Sequence, residues 1–573
     1  MSTSTGCPEL HVVVMSGRRH LEVLALVLGL GVLITCWRLG STGVVDETPP
    51  LFAAAGRAMT ETGDWLTPRV NGLPRFDKPP LVYWLMALGY SLPGQMVWDP
   101  LGSWAARLPS ALSIVAVMLV LADTLLRWPQ ANRQQSAAAA LTAALSFGLS
   151  PLVLVWSRTA VSDALLCGLL AISLILQWRR FASPDRHRWW PAWLVLGLAV
   201  LAKGPVAVVL TGLTLLLFGA LRRDLATPWR RLRPLPGLAL TALVSLPWYG
   251  LELLVEGQPF WDSFFGYHNL QRFTSVVNDH LQPWWFFGPV MLVAAMPFSP
   301  LLVLGLARLP RQRTSPEQSL HQFAGCWLLA VFLLFTTAAT KLPSYWLPAT
   351  PAAALLISLA LGRRDRSLGV AWGSTLMIVL LLAVGFWCAP LWVPLITDPE
   401  MPTLAADLLA SGLVWRAAGW FSLAAVLGLV AWRCTAVVRL LAMQLPLLCF
   451  HLASLIPIAE LADQLRQLPL RQATQTLINQ QRPEEPLAMV GAMKPSVHFY
   501  AGQVILFEGR SDGALVNLAD RLTNEQRRGW RGVPLQSPGA SPTVLLIIDQ
   551  GTIRQKHWRG LQPETLGRFG IYT

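Results

Sequence analysis

The chain has 573 residues, 54% of them hydrophobic and 13% charged, where an ordinary soluble chain carries roughly 25% charged residues. With a mean hydropathy of +0.48, that balance excludes a soluble globular enzyme, a disordered chain and a coiled coil, and it identifies a polytopic α-helical membrane protein. The net charge of +14 does not make nucleic acid a partner, because the basic residues fall in short clusters between apolar runs, the pattern of an orientation signal.

In chain order, about thirteen apolar runs approach the roughly 20 residues that a spanning helix needs. They cover 21–37, 104–126, 136–156, 161–178, 190–202, 206–221, 235–255, 284–306, 323–339, 345–361, 368–391, 414–432 and 436–456. The first could be read as a cleaved signal, but no small-residue cleavage site follows it. Alternate loops carry the arginines: Arg18 and Arg19, Arg127 and Arg133, Arg179 to Arg188, Arg222 to Arg233, Arg308 to Arg313, Arg363 to Arg366, then Arg433 and Arg439. By the positive-inside rule these loops and the N-terminus are cytoplasmic, in a plasma (inner) membrane, and the tail lies outside. The seven cysteines are scattered, with no pair at metal-ligand spacing.

The expected organisation is a transmembrane unit, 1–458, and an extracytoplasmic tail, 459–573. Two outer loops, 38–103 and 256–283, are too long to be turns, and loops of that size usually carry function. Strands are expected at 487–490, 504–507 and 544–548 with a helix at 515–526, so the tail reads as a small α/β domain.

The first outer loop contains Asp46-Glu47-Thr48-Pro49-Pro50. Thr48-Pro49 is a helix start, and Leu51, Phe52, Ala55 and Met59 then share one face, as in a helix lying at the membrane interface. Two carboxylates there favour a helix N-terminus and equally suit a functional site at the membrane surface. Lysine usage is more telling. Of five lysines in the chain, Lys78, Lys203 and Lys341 lie in the membrane part, on the expected outer side, and each shortly precedes a proline that bends the chain or ends a helix. Snorkelling places Lys at helix ends but leaves the choice of Lys over Arg unexplained, whereas a cluster of point charges suits a phosphate. In the second loop, His268 and Arg272 share a helix face, and His280 follows. Arg158 and Asp163 flank a tight outer turn, where they could pair. Tyr345, four residues after Lys341, is a belt aromatic or a ligand contact. Together these groups suit a lipid-borne anionic substrate.

Several stretches resemble one enzyme superfamily: Asp46-Glu47; Thr62-Gly63-Asp64-Trp65; Asn71-Gly72; Phe76-Asp77-Lys78-Pro79-Pro80-Leu81-Val82-Tyr83-Trp84; Leu201-Ala202-Lys203-Gly204-Pro205; His268 to Phe273; Thr340-Lys341-Leu342-Pro343-Ser344-Tyr345; and Lys494 to Tyr500. They are similar to the polyprenyl-phosphate-sugar glycosyltransferases of the GT-C fold, in the branch of the lipid A 4-amino-4-deoxy-L-arabinose transferases, kin to the protein O-mannosyltransferases. Thr48-Pro49 and Asp77 depart from the usual family residues.

The resemblance implies an inverting membrane glycosyltransferase. It would move a sugar from a polyprenyl-phosphate donor to a glycolipid (lipid A-like), glycan or protein acceptor on the outer face. Asp46 is then the expected base, with Glu47 beside it; Lys78, Lys341, Arg272, Tyr345 and Lys203 would hold the donor phosphate; and Asp163, Arg158, His268 and Tyr83 would shape the acceptor side. A divalent metal is possible, with no ligands assigned. The rivals are a lipid-linked-sugar flippase or transporter, for which ionisable groups in mid-span and paired repeats are expected, and an O-antigen-type glycan ligase.

Overall fold

The structure, a computed structural model, describes residues 17–130, 136–271, 274–275, 281–483, 485–524, 543–561 and 563–573. Every apolar run read from the sequence contains helix. Among the described residues, eight helices are long and apolar enough to cross a membrane, and a bent pair makes a ninth. The chain is a multi-pass membrane protein. The remaining runs contain shorter apolar helices, such as Ser136–Gly148, Trp190–Lys203 and Val206–Leu221. Two runs are broken by proline. Pro151 restarts the helix after Ser136–Gly148, and Phe287–Ala294 meets Ser299–Ala307 at 113°, with Pro297 in the joint and Pro300 in the new first turn. Proline has no N–H to continue the ladder and fits best in a first turn.

The helices pack around large, fully buried side chains, including Trp178, Trp327, Trp346, Phe181 and Phe218. The arginine-bearing loops gather at one end of this bundle. Arg180 donates to the Arg231 carbonyl, Arg222 to the Thr314 carbonyl, and Arg313 and Arg308 pair with Asp224 and Asp365. The long loops and the tail gather at the other end.

In the first long loop the helix Thr48–Thr62 begins where expected, with Pro49 and Pro50 in its first turn, and ends at Gly63, whose φ of 73° lets its N–H cap the Met59 carbonyl. Phe52, Ala53, Ala54, Ala55, Ala58 and Met59 are buried, and the alanines with Gly56 admit the helix Leu81–Tyr90 at close range. Between the two helices a two-residue hairpin pairs β1 (Arg69–Val70) with β2 (Leu73–Pro74). Its turn, Asn71-Gly72, has φ of 54° and 75°, the geometry that Asn-Gly favours.

At position 459, the expected start of the tail, the chain is in the first turn of the helix Ile456–Gln480. Leu470, Ala473 and Leu477 of that helix pack into the core of the tail domain. The strands β3 (Leu487–Val490), β4 (Ile505–Glu508) and β5 (Leu545–Ile548) form a parallel sheet in the order β4-β3-β5, within a residue of the expected segments, and the helix expected at 515–526 is Ala514–Asn524.

Candidate functional site

A cavity of about 1040 Å³ opens where the long loops meet the bundle. Segments from across the chain supply its walls. Glu47 and Phe52 come from the start of Thr48–Thr62, and Arg75, Asp77 and Lys78 from the strand exit after β2. Asp163 opens the helix Asp163–Ala182 and Lys203 closes the helix Trp190–Lys203. His268 projects from Trp261–Gln271, which is wound with π-type bonds, and Tyr345 from the 3-10 turn Pro343–Ala349. The last wall, Phe335 and Ala338, is apolar.

The charges are arranged in pairs. Lys203 Nζ lies 2.7 Å from Asp163 Oδ1 and 5.4 Å over the Tyr345 ring. Gly204, at φ 112°, stops the helix directly after Lys203, which leaves the ammonium at the cavity wall. Arg75 Nη2 is 2.5 Å from Asp77 Oδ2, and the Tyr83 hydroxyl donates to Asp77 Oδ1 at 3.2 Å. Burial pushes the Asp77 carboxyl up, but Arg75, Lys78 and His268 outweigh it and hold the group below its ordinary value. Lys78 Nζ donates to the Asp77 carbonyl at 2.6 Å, and Pro79-Pro80 fix its backbone before the helix Leu81–Tyr90 begins.

Of the residues expected from the sequence, Glu47, Lys78, Asp163, Lys203, His268 and Tyr345 line one cavity. Tyr83 lies behind it, fully buried, stacked on Phe52 at 5.3 Å and bonded to Asp77. Three others are placed differently. Asp46 turns away from its neighbour: Oδ1 accepts the Ser496 N–H at 2.9 Å and Oδ2 the Ser496 hydroxyl at 2.6 Å. Burial raises the Asp46 carboxyl above its usual range, against the opposing pull of Ser496 and Lys494. Lys341 is 7% exposed, and its Nζ donates to the Ala338 carbonyl at 2.7 Å. It thus closes the end of the helix Leu320–Thr337 while its neighbours Thr340 and Leu342 line the cavity. Arg158 does not pair with Asp163. It donates to the Thr35 and Arg38 carbonyls at 3.1 and 2.8 Å, capping the helix Gly17–Cys36. Arg272 and His280 lie outside the described residues. Among the described residues no three His, Cys, Asp or Glu side chains converge as metal ligands.

Sequence reasoning missed Arg75 and the tail residues that grip the first loop. Arg75 and Asp77, two apart in a charge-poor chain, were the available signal. Asn71 bonds the tail through its side chain and backbone: Nδ2 donates to the Ile505 carbonyl, Oδ1 accepts the Ile505 N–H, and its own N–H donates to His498 Nε2, each at 2.8 Å.

Known proteins share parts of this sequence and this fold. Residues 77–248 match the family described as dolichyl-phosphate-mannose-protein mannosyltransferase, and residues 480–573 match the C-terminal domain of cyanobacterial RgtA-type glycosyltransferases. An undecaprenyl phosphate-alpha-4-amino-4-deoxy-L-arabinose arabinosyl transferase of Pseudomonas aeruginosa (strain UCBPP-PA14) is 32% identical over 358 residues, which span 61% of this chain and 61% of that relative. An uncharacterized protein of Aquifex aeolicus (strain VF5) is 30% identical over 64% of this chain and 79% of its own length. The crystal structure of ArnT from Cupriavidus metallidurans bound to undecaprenyl phosphate superposes with a TM-score of 0.76 at 22% identity, covering 97% of this chain and 98% of that one. At that identity the likeness establishes the fold. The chain therefore has the fold of ArnT, and its matching segments are similar to the protein mannosyltransferases and to the undecaprenyl phosphate aminoarabinose transferases.

Proposed function

We propose that this protein transfers a sugar from a polyprenyl-phosphate donor to an acceptor on the extracytoplasmic face of the inner membrane, with a lipid A-like glycolipid as the first acceptor class. The N-terminus is then cytoplasmic and the tail domain extracytoplasmic, in line with the arginine-rich loops gathering at the opposite end of the bundle from the cavity. The observation that carries the reading is the cavity itself, where Lys78, Lys203 and Arg75 meet Glu47, Asp77 and Asp163 beside an apolar wall of Phe335 and Ala338.

In the proposed reaction the acceptor oxygen attacks the anomeric carbon while the bond from that carbon to the phosphate oxygen breaks, inverting the configuration. The electron pair leaves on the lipid phosphate, whose growing charge is stabilised by ammonium groups already in place. Lys78 takes this role, with Lys203 and Tyr345 assisting. Glu47 accepts the proton of an acceptor hydroxyl, or orients an acceptor that is already ionised. This revises the role expected for Asp46, whose carboxylate is held by Ser496. His268 and Asp163 shape the acceptor side, and no step is routed through a metal.

The test is transfer of label from a short-chain polyprenyl-phosphate sugar to lipid, glycan and protein fractions. Label in the lipid fraction, lost in Glu47→Gln, supports the reading. Label in the glycan or protein fraction changes the acceptor, and equal labelling by Glu47→Gln removes its role as base. A transporter reading would require ionisable groups in mid-span, whereas the cavity groups sit at helix ends.

A further inference from the structure

The segment leading to Glu47 is held by residues from far along the chain. Arg107, 6% exposed, donates to the Leu39, Thr42 and Gly43 carbonyls. The Gly43 N–H donates to Asp463 Oδ1 at 2.8 Å, and the Val44 N–H to the Tyr500 hydroxyl at 2.8 Å. Arg471 grips Asp463 through both oxygens, at 2.9 and 2.7 Å. Asp46 then gives both carboxylate oxygens to Ser496. Next to Ser496, Lys494 is 5% exposed and pairs with Glu400 at 2.7 Å, and Arg466 holds the same carboxylate at 2.7 Å. The chain is thus held at Gly43, Val44 and Asp46, and the next residue, Glu47, faces the cavity. A fold that needed only a docked tail already has that in the three Asn71 bonds and in Arg57, whose guanidinium lies 4.0 Å over the Phe499 ring.

We propose that Ser496, carried by the tail domain, is a positioning residue for transfer: by holding the Asp46 carboxylate it aims Glu47 into the cavity. The inference rests on the reading of Glu47 given above. The tail domain completes the geometry of the site from outside the membrane bundle, and Ser496 acts through Asp46 without touching substrate. Displacing a reacting group by an ångström can cost about 100-fold in rate, while the donor, bound by the lysines, is unaffected.

The experiment is steady-state transfer by the full-length protein with Ser496→Ala, Ser496→Thr, Asp46→Asn and the double variant Ser496→Ala/Asp46→Asn. The expected result is kcat lowered about 10- to 100-fold in Ser496→Ala with donor KM within about twofold of wild type. Ser496→Thr, which keeps the hydroxyl, restores kcat, and the double variant is no slower than Asp46→Asn, because the two residues act as one unit. Full activity in Ser496→Ala overturns the inference and leaves the transferase reading intact. Additive losses in the double variant, or equal losses of kcat and donor affinity without rescue by Thr, also overturn it. No transfer by wild-type protein from any polyprenyl-phosphate sugar overturns both.

Discussion

His498 makes docking of the tail domain depend on pH. Its Nδ1 faces the Gln503 carbonyl at 2.7 Å and its Nε2 the Asn71 N–H at 2.8 Å. The carbonyl can only accept and the amide can only donate, so the ring is neutral with its proton on Nδ1. Burial, with Arg57 nearby, depresses this histidine from an ordinary 6.5 to about 4. The undocked or unfolded state therefore binds the proton more tightly than the docked one. The contribution is complete above pH 6.5 and is lost as pH falls through the interval down to 4. The shift corresponds to a loss of about 2 kcal/mol at pH 5 and about 3 kcal/mol by pH 4. A second proton on Nε2 would also set two donors against each other across the Asn71 contact. The assay is Tm and limited proteolysis of the detergent-solubilised protein between pH 7.5 and 4.5, for wild type and His498→Gln. Wild type should lose more stability across that range than the variant, by about the 2 kcal/mol at pH 5 given above, with faster cleavage near the junction after Gln480. Identical pH dependence in the two proteins would refute the reasoning.

Two other perturbations probe the same architecture. A Cβ on Gly43 would collide with the Arg471 guanidinium and the Tyr500 hydroxyl, so Gly43→Ala should cost about 1–3 kcal/mol; a lowered Tm together with slower transfer checks it, and an unchanged Tm counts against the tight seat. Lys203→Ala leaves the Asp163 carboxylate, 14% exposed, without its ion-pair partner. It should lower kcat/KM for transfer about 10-fold or more, measured with the same labelled donor.

The helical architecture was legible because spanning helices announce themselves by length and hydropathy, and because Gly and Pro mark their ends. Lys203 illustrates this: the Gly204-Pro205 that ends its helix also leaves its side chain at the cavity. Lys341 shows where the same signal stops. Its Leu342-Pro343 also marks a bend, but a bend does not specify a direction for the side chain, and the Ala338 carbonyl three residues back captures the ammonium. The broken runs at Pro151 and Pro297 read as single spans because an averaged apolar window does not register a change of axis. The pair Asp46-Glu47 was visible as a pair, yet its division was not. Ser496, 450 residues away, decides which carboxylate faces the tail, and local sequence carries no trace of that contact. Asn71 is similar: the pair Asn71-Gly72 suits a tight turn, while the bonds of Asn71 to β4 depend on how the tail docks.

The central claim is that the cavity takes the phosphate of a polyprenyl-linked donor against Lys78. Its most direct test is equilibrium binding of a short-chain polyprenyl phosphate to the purified full-length protein and to Lys78→Ala, with folding of the variant verified by its Tm. The account predicts saturable binding by wild type, weakened about 10-fold or more in the variant. Equal affinity of the two proteins, at equal Tm, would contradict it.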